Sequence, residues 1–471
     1  MENHVINQVY IDGEFVTPHG TELFDLYNPA TGQVIGQVQL ADEVDTEAAV
    51  AAAKRALPAW SATSIDERID ALRRLQAAVV AKKDEMWEAA IVEYGAPPRN
   101  SWMVDSAIST FSNMITTLET FEFTRQIGKA TVEMAPLGVA GLISPWNSDA
   151  FFICDKLAAA LAAGCTVVIK PSELSATQTQ VVTQALHTAG LPKGVFNIVT
   201  GRGEVVGATI SRHPDVSKIS FTGSTAVGKT ILRDAAETMK RVTLELGGKS
   251  PSIILDDADF HTAVLTALHA GFVNSGQACV AGTRILIPEN RLEEVLTIAG
   301  ALMDNFKPGD PRKGDTGIGP MVSQRQWERV QSYIHRGIEE GARLVVGGPG
   351  RPEGLSEGYF VRPTIFADVT NDMSIAREEI FGPVLSILTY RNEDDAVQIA
   401  NDTAYGLAAV ILSTNVERAR HLASRIQAGR VNINGAREPL SPFGGFKQSG
   451  IGREYGSFGL EAFLEPRAVV A

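Results

Sequence analysis

The chain has 471 residues, of which 44% are hydrophobic and 21% are charged, and its formal net charge is −13. This length exceeds the size at which one hydrophobic core keeps growing, so two or more domains are expected. The negative charge argues against a nucleic-acid-binding protein, because neutralising a phosphate backbone needs a basic face.

The sequence shows no sign of a targeting segment or a disulfide framework. The N-terminus lacks the basic region and apolar core of a secretory signal, and the longest apolar run, Leu157 to Ile169, is too short to span a bilayer. The cysteines, Cys154, Cys165 and Cys279, have neither disulfide nor metal-ligand spacing. We therefore expect a cytoplasmic protein with no membrane or nucleic-acid partner and no catalytic metal.

The first part of the chain combines short strands with long helices. Asp12-Gly13 is typical of a hairpin turn, and helical periodicity extends from Val44 to Tyr94, with Asp45 or Thr46 as the predicted N-cap. Further predicted elements are a turn at Asn28 to Gly32, a helix over Ser101 to Leu118 and a strand over Ala130 to Met134.

From Gly138 onward strands and helices alternate, which is typical of βαβ units and a parallel sheet. After the strand Lys218 to Phe221, a glycine-containing turn from Gly223 to Gly228 opens a helix near Ser224. Such a turn can hold a pyrophosphate at a helix N-terminus, although Thr225 replaces the middle glycine of the usual fingerprint. The other predicted elements here are Val139 to Ile143, Asp155 to Ala163, Thr166 to Ile169, Ser175 to Ala189 and Val195 to Val199.

The second half repeats this alternation without an obvious sequence duplication, and we interpret it as a catalytic domain. The active site is expected in the cleft between the two halves. The predicted strands are Ser252 to Leu255, Arg284 to Ile287, Val384 to Tyr390 and Ala408 to Leu412, and the predicted helices are Phe260 to Val273, Arg291 to Met303, Ser323 to Glu340 and Asp394 to Asn401.

A glycine-interrupted polar turn runs from Phe272 to Cys279, between a predicted helix and a predicted strand. A thiolate is intrinsically nucleophilic, and loops on a rigid scaffold often carry catalytic groups. We therefore interpret Cys279 as a nucleophile. On spacing alone, a small buried cysteine without a chemical role is the open alternative.

Several short motifs stand around Cys279 in one order along the chain. They are Tyr27-Asn-Pro-Ala-Thr-Gly32, Pro145-Trp-Asn147, Lys170-Pro-Ser-Glu173, Phe221-Thr-Gly-Ser224, Leu244-Glu-Leu-Gly-Gly-Lys249, Glu379-Ile-Phe-Gly-Pro383 and Ser441-Pro-Phe-Gly-Gly445. Together they resemble the aldehyde dehydrogenase superfamily, in its NAD(P)-dependent, hydrolytic, non-acylating type. The resemblance extends from the first of these motifs to the C-terminal tail.

The resemblance implies an α/β fold with two doubly wound parallel-sheet domains, a Rossmann-type cofactor domain and a catalytic domain, plus a small β oligomerisation arm. The expected boundaries are 1–118 and 137–246 for the NAD-binding domain, 247–448 for the catalytic domain, and 119–136 with 460–471 for the arm. The segment Phe463 to Ala471 is predicted to be an edge strand, which favours pairing with another subunit. We therefore expect a homodimer or a homotetramer.

The resemblance also implies the catalytic roles. Cys279 attacks the aldehyde, and the side-chain amide of Asn147 with the backbone N–H of Cys279 holds the oxyanion. Glu245 then activates the water that hydrolyses the thioester, and Lys156 supports the site or relays protons. A surface position for Lys156 is the open alternative. A CoA-acylating enzyme is the alternative that Glu245 argues against, and an inactive structural homologue is the one that Cys279 argues against.

The expected cofactor is NAD, with NADP as the alternative. An acidic residue at the adenosine ribose favours free hydroxyl groups over a 2′-phosphate, so Glu173 favours NAD. The resemblance places Lys170 with Glu173 on that ribose, Trp146 with Ser224 on the pyrophosphate, and Glu379 with Phe381 on the nicotinamide ribose. The full predicted set is Ser144, Trp146, Lys170, Ser172, Glu173, Gly203, Phe221, Gly223, Ser224, Gly228, Glu245, Leu246, Gly247, Glu379 and Phe381.

The predicted substrate pocket departs from the family's commonest pattern, because Ser148-Asp149 follows Asn147 where many relatives have Phe-Pro. We predict that Arg437 binds a carboxylate or other polar tail of a semialdehyde through its forked donors, with contacts to Glu438 and solvent as the alternative. An aromatic aldehyde stacked on aromatic side chains is the competing prediction. The predicted substrate-binding residues are Asn147, Ser148, Phe152, Asp155, Ala278, Val280, Arg437 and Phe443.

Overall fold

The structure is a computed structural model that describes residues 5–471. Its strands are β1 (Val5–Ile6), β2 (Val9–Ile11), β3 (Glu14–Val16), β4 (Leu23–Asn28), β5 (Gln33–Gln39), β6 (Thr124–Ile127), β7 (Ala130–Pro136), β8 (Val139–Ile143), β9 (Thr166–Lys170), β10 (Phe196–Ile198), β11 (Val216–Thr222), β12 (Arg241–Glu245), β13 (Pro251–Ile254), β14 (Arg284–Pro288), β15 (Arg343–Val346), β16 (Thr364–Ala367), β17 (Val384–Tyr390), β18 (Ala408–Leu412), β19 (Arg430–Ile433), β20 (Gly450–Ile451) and β21 (Leu464–Val470).

The helices that connect these strands differ widely in length. They are α1 (Glu43–Ser61), α2 (Ile65–Ala81), α3 (Lys83–Ala89), α4 (Trp102–Thr120), α5 (Asp149–Ala162), α6 (Ala176–Thr188), α7 (Ala208–Arg212), α8 (Thr225–Ala236), α9 (Phe260–Gly271), α10 (Leu292–Leu302), α11 (Gln324–Glu339), α12 (Ser374–Arg377), α13 (Glu393–Asn401), α14 (Val416–Ala423) and α15 (Gly456–Glu461).

Within residues 5–471, an eight-stranded sheet has the order β20-β12-β11-β8-β9-β10-β2-β3. The strands from β12 to β10 are parallel, and antiparallel strands flank them on both sides. From β8 the chain builds outward through β9 and β10 on one side and then through β11 and β12 on the other. Open α/β sheets bind ligands at the carboxyl ends of the strands where the order reverses in this way.

The second large sheet of the described chain has the order β15-β16-β17-β14-β13-β18-β19. All of its strand pairs are parallel except β15 with β16. Every residue of β13, β14 and β16 is buried, as expected for parallel strands that helices cover on both faces. The doubly wound α/β architecture predicted from the sequence is thus confirmed.

The two large sheets meet at a cleft. Strand β12 ends at Glu245, and the chain passes through Gly248 into β13. A Cβ atom on Gly248 would lie 2.3 Å from the carbonyl oxygen of Cys279, which precedes β14. The carboxyl ends of strands in the first sheet therefore approach the amino ends of strands in the second sheet.

A separate antiparallel sheet has the order β21-β7-β6 and corresponds to the predicted arm. Strands β21 and β7 pair along their whole length, from Leu464 opposite Pro136 to Val470 opposite Ala130. Ile127 is 65% exposed and Val470 is 72% exposed, although both are apolar. The predicted strands near residues 130 and 463 are confirmed, and the assembly that they were expected to support stays a prediction.

The predicted N-cap of α1 was wrong. Asp42 caps this helix, because its carboxylate accepts hydrogen bonds from the N–H groups of Val44 and Asp45. The Asp45 side chain in turn accepts from the N–H of Asp42, which completes a capping box. The helical region predicted up to Tyr94 is present, but it is divided into α1, α2, α3 and a terminal π turn.

Helix α5 begins at Asp149, six residues before the predicted start at Asp155. The Asp149 carboxylate accepts hydrogen bonds from Ser175 Oγ at 2.8 Å and Thr179 Oγ1 at 3.0 Å, so it joins α5 to the start of α6. Burial raises the pKa of Asp149 to about 8. The unusual Ser148-Asp149 pair therefore has a packing role at Asp149.

The hydrophobic core is divided between the two large sheets. One cluster joins α2, α4 and α5 to the first sheet, and two clusters cover the faces of the second sheet. Within residues 5–471, no helix is both long and apolar enough to cross a membrane.

Candidate active site

Cys279 lies in a tight loop between α9 and β14. Asn274, Ser275 and Gly276 all have left-handed backbone angles, with φ of 53°, 59° and 75°. The first two are strained, because a side chain crowds the backbone in this region. Residues 278–280 are partly exposed after a buried stretch, so the turn presents Cys279 to the cleft.

Buried hydrogen bonds hold this strained loop. Asn274 Nδ2 donates to the carbonyl oxygen of Asn147 at 2.7 Å, and Asn274 Oδ1 accepts from Asn100 Nδ2 at 2.9 Å. Gln277 Nε2 donates to the hydroxyl group of Tyr94 at 3.2 Å. Residues from the first half of the chain, none of them predicted except Asn147, therefore position the loop that carries Cys279.

The predicted oxyanion donor, Asn147, lies against the same loop between β8 and α5. Its Nδ2 donates to the carbonyl oxygen of Gln277 at 2.9 Å, and the residue is 7% exposed. An amide nitrogen carries two hydrogens, so one remains to stabilise an oxyanion. The structure thus brings Asn147 to the loop of Cys279.

The surroundings of the Cys279 thiol favour its neutral form. Burial raises the pKa of Cys279 to about 12, and the carboxylates of Glu379 and Glu245 contribute to this increase. A thiol of this kind needs a base to become a good nucleophile at neutral pH. Glu245 is the candidate base.

Glu245 is the last residue of β12 and is 2% exposed. Among residues 5–471, neither of its carboxyl oxygens has a hydrogen-bond partner. Burial raises the pKa of Glu245 well above its usual value, Glu454 raises it further, and Lys156 opposes the increase. Because an unpaired buried carboxyl is costly, its presence here is typical of a group that exchanges protons during catalysis.

Lys156 is buried, so the surface alternative for this residue is wrong. Its Nζ donates to Glu454 Oε1 at 2.5 Å and to Ser220 Oγ at 3.0 Å. The side chains of Lys156 and Glu454 are 1% and 10% exposed. Glu454 was missed in the sequence, because it is 298 residues from Lys156 and no local spacing joins them.

The predicted cofactor-binding residues lie along the carboxyl edge of the first sheet. Adjacent strands β12, β11, β8 and β9 end at or next to Glu245, Gly223, Ser144 and Lys170. The remaining members are Trp146 after β8, Ser172 and Glu173 after β9, Gly203 after β10, Phe221 within β11, Ser224 and Gly228 at the start of α8, and Leu246 and Gly247 after β12.

This edge has features that fit a dinucleotide. Ser144 Oγ and Thr222 Oγ1 are buried there without a hydrogen-bond partner in the described part of the chain. Ser224 caps α8, and its hydroxyl group accepts from the N–H of Val227 at 3.3 Å. The other free N–H groups of that helix end provide a site for a pyrophosphate.

Glu379 and Phe381 approach this edge from the second sheet. Glu379 Oε1 accepts from the N–H of Gly248 at 3.0 Å, and burial raises the pKa of Glu379. Phe381 has a φ of 63°, and its ring packs edge-on against Trp146 with 5.5 Å between ring centroids. Phe381, which was predicted to bind the nicotinamide ribose, is thus in contact across the cleft with Trp146, which was predicted to bind the pyrophosphate.

Aromatic side chains form a wall near the start of α5. Phe151 and Phe152 are partly exposed, whereas the rest of α5 is buried. Phe443 stacks on Tyr455 with 5.3 Å between ring centroids, and Tyr455 also contacts Phe151 at 6.3 Å. Phe152 contacts Phe151 with 5.2 Å between ring centroids, so the predicted substrate residues Phe152 and Phe443 belong to one aromatic cluster, in which Tyr455 was not predicted.

Asp155 places a carboxyl group beside this wall. It is 9% exposed, and its Oδ1 accepts from Thr110 Oγ1 at 2.7 Å. Burial raises the pKa of Asp155 to about 7, and Glu454 contributes to the shift. Ser148 Oγ is also buried and has no hydrogen-bond partner within the described ranges. Both predicted polar residues of this pocket are therefore enclosed.

Arg430, which was not predicted, contacts the aromatic wall. Its guanidinium carbon lies 5.1 Å from the ring centroid of Phe443 and 5.6 Å from that of Tyr455. Arg437 is exposed in the loop after β19. Within residues 5–471 no ion pair joins Arg437 to Glu438, so of the alternative predicted for Arg437 only the contact with solvent is present.

The comparisons with known proteins agree with this geometry. Residues 15–469 match the model of the aldehyde dehydrogenase family. The chain belongs to the aldehyde dehydrogenase family. It is 45% identical over 467 residues to 3-succinoylsemialdehyde-pyridine dehydrogenase from Pseudomonas sp., with 98% of each chain covered.

Solved aldehyde dehydrogenases have the same fold. A cysteine-to-alanine mutant of aldehyde dehydrogenase C from Pseudomonas syringae, in complex with NAD+ and octanal, is 44% identical with a TM-score of 0.97, and 98% of this chain and 96% of that one are covered. The Mycobacterium tuberculosis aldehyde dehydrogenase complexed with NAD+ is 39% identical with a TM-score of 0.95, covering 100% and 99%. The family predicted from the motifs is confirmed.

Proposed function

We propose that this member of the family oxidises an aldehyde to the carboxylic acid, with NAD+ as the hydride acceptor and water as the group that releases the product. The arrangement of three residues carries the proposal. The loop that presents Cys279 is held against Asn147, and the carboxyl group of Glu245 is buried without a hydrogen-bond partner in the described residues.

In the first step, Cys279 Sγ bonds to the aldehyde carbon and its thiol proton passes to Glu245. The carbonyl oxygen becomes an oxyanion, and the remaining N–H of the Asn147 side chain, with the backbone N–H of Cys279, stabilises it. The raised pKa of Cys279 makes a base necessary for this step. Burial raises the pKa of Glu245, so its ionised carboxyl group is a stronger base than an ordinary carboxylate.

When bound, NAD+ would accept the hydride that leaves the aldehyde carbon. Glu379 and Phe381 would hold its nicotinamide ribose, and Lys170 and Glu173 would hold its adenosine ribose at the carboxyl edge of the first sheet. Loss of the hydride leaves the acyl group on Cys279 as a thioester. The protein's part in this step is to orient the two reactants and exclude water.

Before the second step, Glu245 gives up the proton that it took from Cys279. The ionised carboxyl group then takes a proton from water as the water oxygen attacks the thioester carbon. The bond between the acyl carbon and Cys279 Sγ breaks, the acid leaves, and Glu245 returns this proton to the sulfur. Lys156 and Glu454 provide a route for protons away from Glu245, since both contribute to its charge environment and are joined to each other at 2.5 Å. Ser220 extends this route by its hydrogen bond to Lys156 at 3.0 Å.

A CoA-acylating function is disfavoured by Glu245, because transfer of the acyl group to a thiol does not need a base for water. A catalytically inactive homologue or a binding module is disfavoured by Cys279, which is presented to the cleft at a cost in backbone strain. Water is therefore the proposed acceptor of the acyl group.

For the substrate, we propose an aldehyde with a polar or aromatic tail. The name of the Pseudomonas relative, which specifies a semialdehyde that carries a pyridine ring, supports this class. The aromatic wall of Phe443 and Tyr455 fits a ring, and Asp155 provides a hydrogen-bond acceptor beside it. A carboxylated tail that binds Arg437 is the second candidate, and the exposure of Arg437 at the surface allows it.

We also propose that β6, β7 and β21 pair with another subunit in a dimer or tetramer of a cytoplasmic enzyme. The support is the exposed apolar surface of this arm. The domain boundaries proposed above, 1–118 with 137–246 and 247–448, place the two large sheets in separate domains.

Rapid mixing of the protein with NAD+ and an aromatic aldehyde, without CoA, tests the mechanism. Glu245→Gln is expected to slow NADH formation in the first turnover as well as steady-state turnover, by about 10²- to 10⁴-fold relative to the natural protein, because Glu245 is the base in both steps. Cys279→Ala is expected to form no NADH. Cys154→Ala is the matched control, because this buried cysteine of α5 lies outside the cleft and its loss should leave turnover intact.

Steady-state turnover of Glu245→Gln at the natural rate would contradict the proposal. Acceleration of the natural protein by added CoA would instead support the acylating alternative. The tail proposal is tested by Arg437→Ala, and an unchanged KM for a carboxylated aldehyde would remove Arg437 as its binding group.

A further inference from the structure

One face of the neighbouring strands β11 and β12 is buried but polar. Lys218 and Ser220 of β11 are 2% and 1% exposed, and Thr243 and Glu245 of β12 are each 2% exposed. The register places Ser220 beside Thr243, and side chains two residues apart in a strand lie on the same face. Buried parallel strands are usually apolar on both faces, so these polar side chains need an explanation.

The opposite face of the same two strands follows the usual rule. Its side chains are Ile219, Phe221, Val242 and Leu244. The polar face contacts Lys156 of α5 and Glu454, which follows β20. The polar residues of these strands are therefore confined to the side that meets the Lys156–Glu454 pair.

Hydrogen bonds connect the polar face to this pair. Ser220 Oγ accepts from Lys156 Nζ at 3.0 Å and donates to Glu454 Oε1 at 3.1 Å. Lys218 Nζ lies 2.5 Å from Thr243 Oγ1. We call Ser220, Thr243 and Lys218 the polar row. The polar row begins at the Lys156–Glu454 pair and ends at Lys218, which has no role in the proposed function.

Lys218 is a buried amine without a charged partner. Within residues 5–471 no ion pair includes Lys218, and its Nζ lies 5.4 Å from the ring centroid of Phe463. A buried ammonium group without an anion is costly, so burial favours the neutral amine. A neutral amine has a lone pair that can accept a proton from a hydroxyl group.

The surroundings of Lys218 favour this neutral form. Burial lowers the pKa of Lys218 to about 7, Glu454 opposes the decrease, and Lys156 of α5 and Arg241 of β12 add to it. Cys165, the other titratable group that faces Lys218, is neutral near pH 7, because burial raises its pKa to about 11. Lys218 is therefore able to take up and release a proton near neutral pH.

We propose that Lys218 is the final acceptor of the proton that Glu245 removes from Cys279, and that the polar row carries the proton to it. This inference rests on the proposed function, in which Glu245 is the base. The O–H bond of Glu245 breaks, Glu454 and the two hydroxyl groups of the polar row each accept one proton and pass one on, and an N–H bond forms on Lys218. Glu245 is then ionised and Lys218 is charged.

This transfer frees Glu245 for the second step. Lys218 holds the first proton while Glu245 takes another from water and returns it to the sulfur. Lys218 releases its proton before the next turnover, and this is the one proton that oxidation of an aldehyde by NAD+ and water produces. Lys218 must be neutral to accept, so kcat decreases as the pH falls through about 7, where Lys218 becomes charged.

A purely structural role for Lys218 makes a different prediction. Methionine keeps the length of the side chain and removes only the buried amine. If Lys218 served packing alone, Lys218→Met would change the free energy of unfolding and leave the pH profile and the solvent isotope effect on kcat unchanged. If Lys218 accepts the proton, the decrease in kcat that its charging causes disappears in Lys218→Met, and transfer of the proton limits turnover more strongly.

Steady-state NADH formation with NAD+ and benzaldehyde or octanal, without CoA, tests the proposal. Lys218→Met is expected to lower kcat by about tenfold near pH 8 and to increase the D2O isotope effect on kcat, because the proton then leaves Glu245 more slowly. Thr243→Val interrupts the polar row but keeps Lys218, and it should change both quantities in the same direction. Lys240→Met is the matched control, since Lys240 is 8% exposed and its Nζ donates to Thr238 Oγ1 at 2.6 Å.

An unchanged kcat and isotope effect in Lys218→Met, or equal changes in Lys218→Met and Lys240→Met, would overturn the inference. If Lys218→Met does not fold, unchanged values in Thr243→Val overturn it instead. A slow Glu245→Gln together with an unchanged Lys218→Met refutes the role of Lys218 alone. A natural kcat in Glu245→Gln, or no NADH from the natural protein with either aldehyde, would refute the proposed function and this inference with it.

Discussion

The loop of Cys279 and the surroundings of Glu245 meet in the same cleft but are built in opposite ways. The loop is held by several buried hydrogen bonds to Asn274 and Gln277 and by residues with positive φ. The carboxyl group of Glu245 has no hydrogen-bond partner among the described residues. A nucleophile needs a fixed position, whereas a base that transfers protons in two steps needs free oxygens.

The charges on the Glu245 side show how that freedom is maintained. Lys156 and Glu454 are buried and pair with each other, so neither forms a hydrogen bond that would fix Glu245. Burying such a pair costs desolvation energy, and its geometry must be good to recover that energy. We therefore expect the buried charges around Glu245 to stabilise the protein less than the hydrogen bonds of the Cys279 loop do.

The largest expected effect comes from Lys156→Met. This change leaves Glu454 buried without its cation, and loss of one partner of a buried pair destabilises a protein by about 3–5 kcal/mol. Urea unfolding followed by fluorescence measures the free energy of unfolding. Lys229→Met is the control, because Lys229 is exposed and, among the described residues, its Nζ donates only to Gln448 Oε1, at 2.9 Å.

A free energy of unfolding within about 1 kcal/mol of the natural protein would show that the Lys156–Glu454 pair is not a costly buried pair. The double variant Lys156→Met with Glu454→Leu sharpens the result. It removes both charges, so it should recover part of the stability that the single change loses.

On the nucleophile side, Asn274→Ala is expected to lower kcat by about 10²-fold, because a small displacement of a reacting group has an effect of this size. The change removes the hydrogen bonds to Asn147 and Asn100 and places alanine at a φ of 53°. Steady-state NADH formation measures it. The control is Asn305→Ala, which removes a comparable amide-to-carbonyl hydrogen bond of 3.0 Å near the end of α10.

If Asn274→Ala and Asn305→Ala have the same kcat, the hydrogen bonds of the loop do not position Cys279. Equal kcat with a lower free energy of unfolding for Asn274→Ala would assign Asn274 a role in stability only. A lower kcat with an unchanged Kd for NAD+ would show that the hydrogen bonds of Asn274 position Cys279 for the reaction.

The sequence was sufficient for the architecture and for the segments that carry the site. Strands such as Val139–Ile143 and Val384–Tyr390 have the predicted bounds, because buried parallel strands are continuous apolar runs between turn residues. The order of the motifs predicted the family, and the comparisons confirm it. Local patterns of this kind depend on neighbouring residues, which a single sequence displays directly.

The contacts that define the site could not be predicted in the same way. Glu454 contacts Lys156 from 298 residues away in the chain. Arg430 contacts Phe443 across an irregular loop, and no spacing rule predicts either contact. Asn274 is partly an exception. An asparagine followed by serine and glycine in a polar turn favours left-handed angles, and this signal was available in the sequence.

The smallest expected effect concerns the thiol itself. Burial makes the largest contribution to the raised pKa of Cys279, and the negative charge of Glu379 makes the next largest. Removal of that charge favours the thiolate. Glu379→Gln should therefore lower the pKa of Cys279 below about 12 and increase the thiolate fraction at every lower pH. The rate of alkylation by iodoacetamide in cofactor-free protein is proportional to that fraction, so rates at about pH 8 and about pH 9 report the direction.

Mass spectrometry of the peptide that contains Cys279 distinguishes this alkylation from reaction at the other cysteines. Glu378→Gln is the matched control, because this exposed neighbour does not contribute to the pKa of Cys279. A faster reaction in Glu379→Gln alone supports the electrostatic link between the two sides of the cleft. Equal alkylation rates in all three proteins would mean that burial alone raises the pKa of Cys279. The Cys279 loop and the surroundings of Glu245 would then differ in their hydrogen bonding, and charge would have no part in the difference.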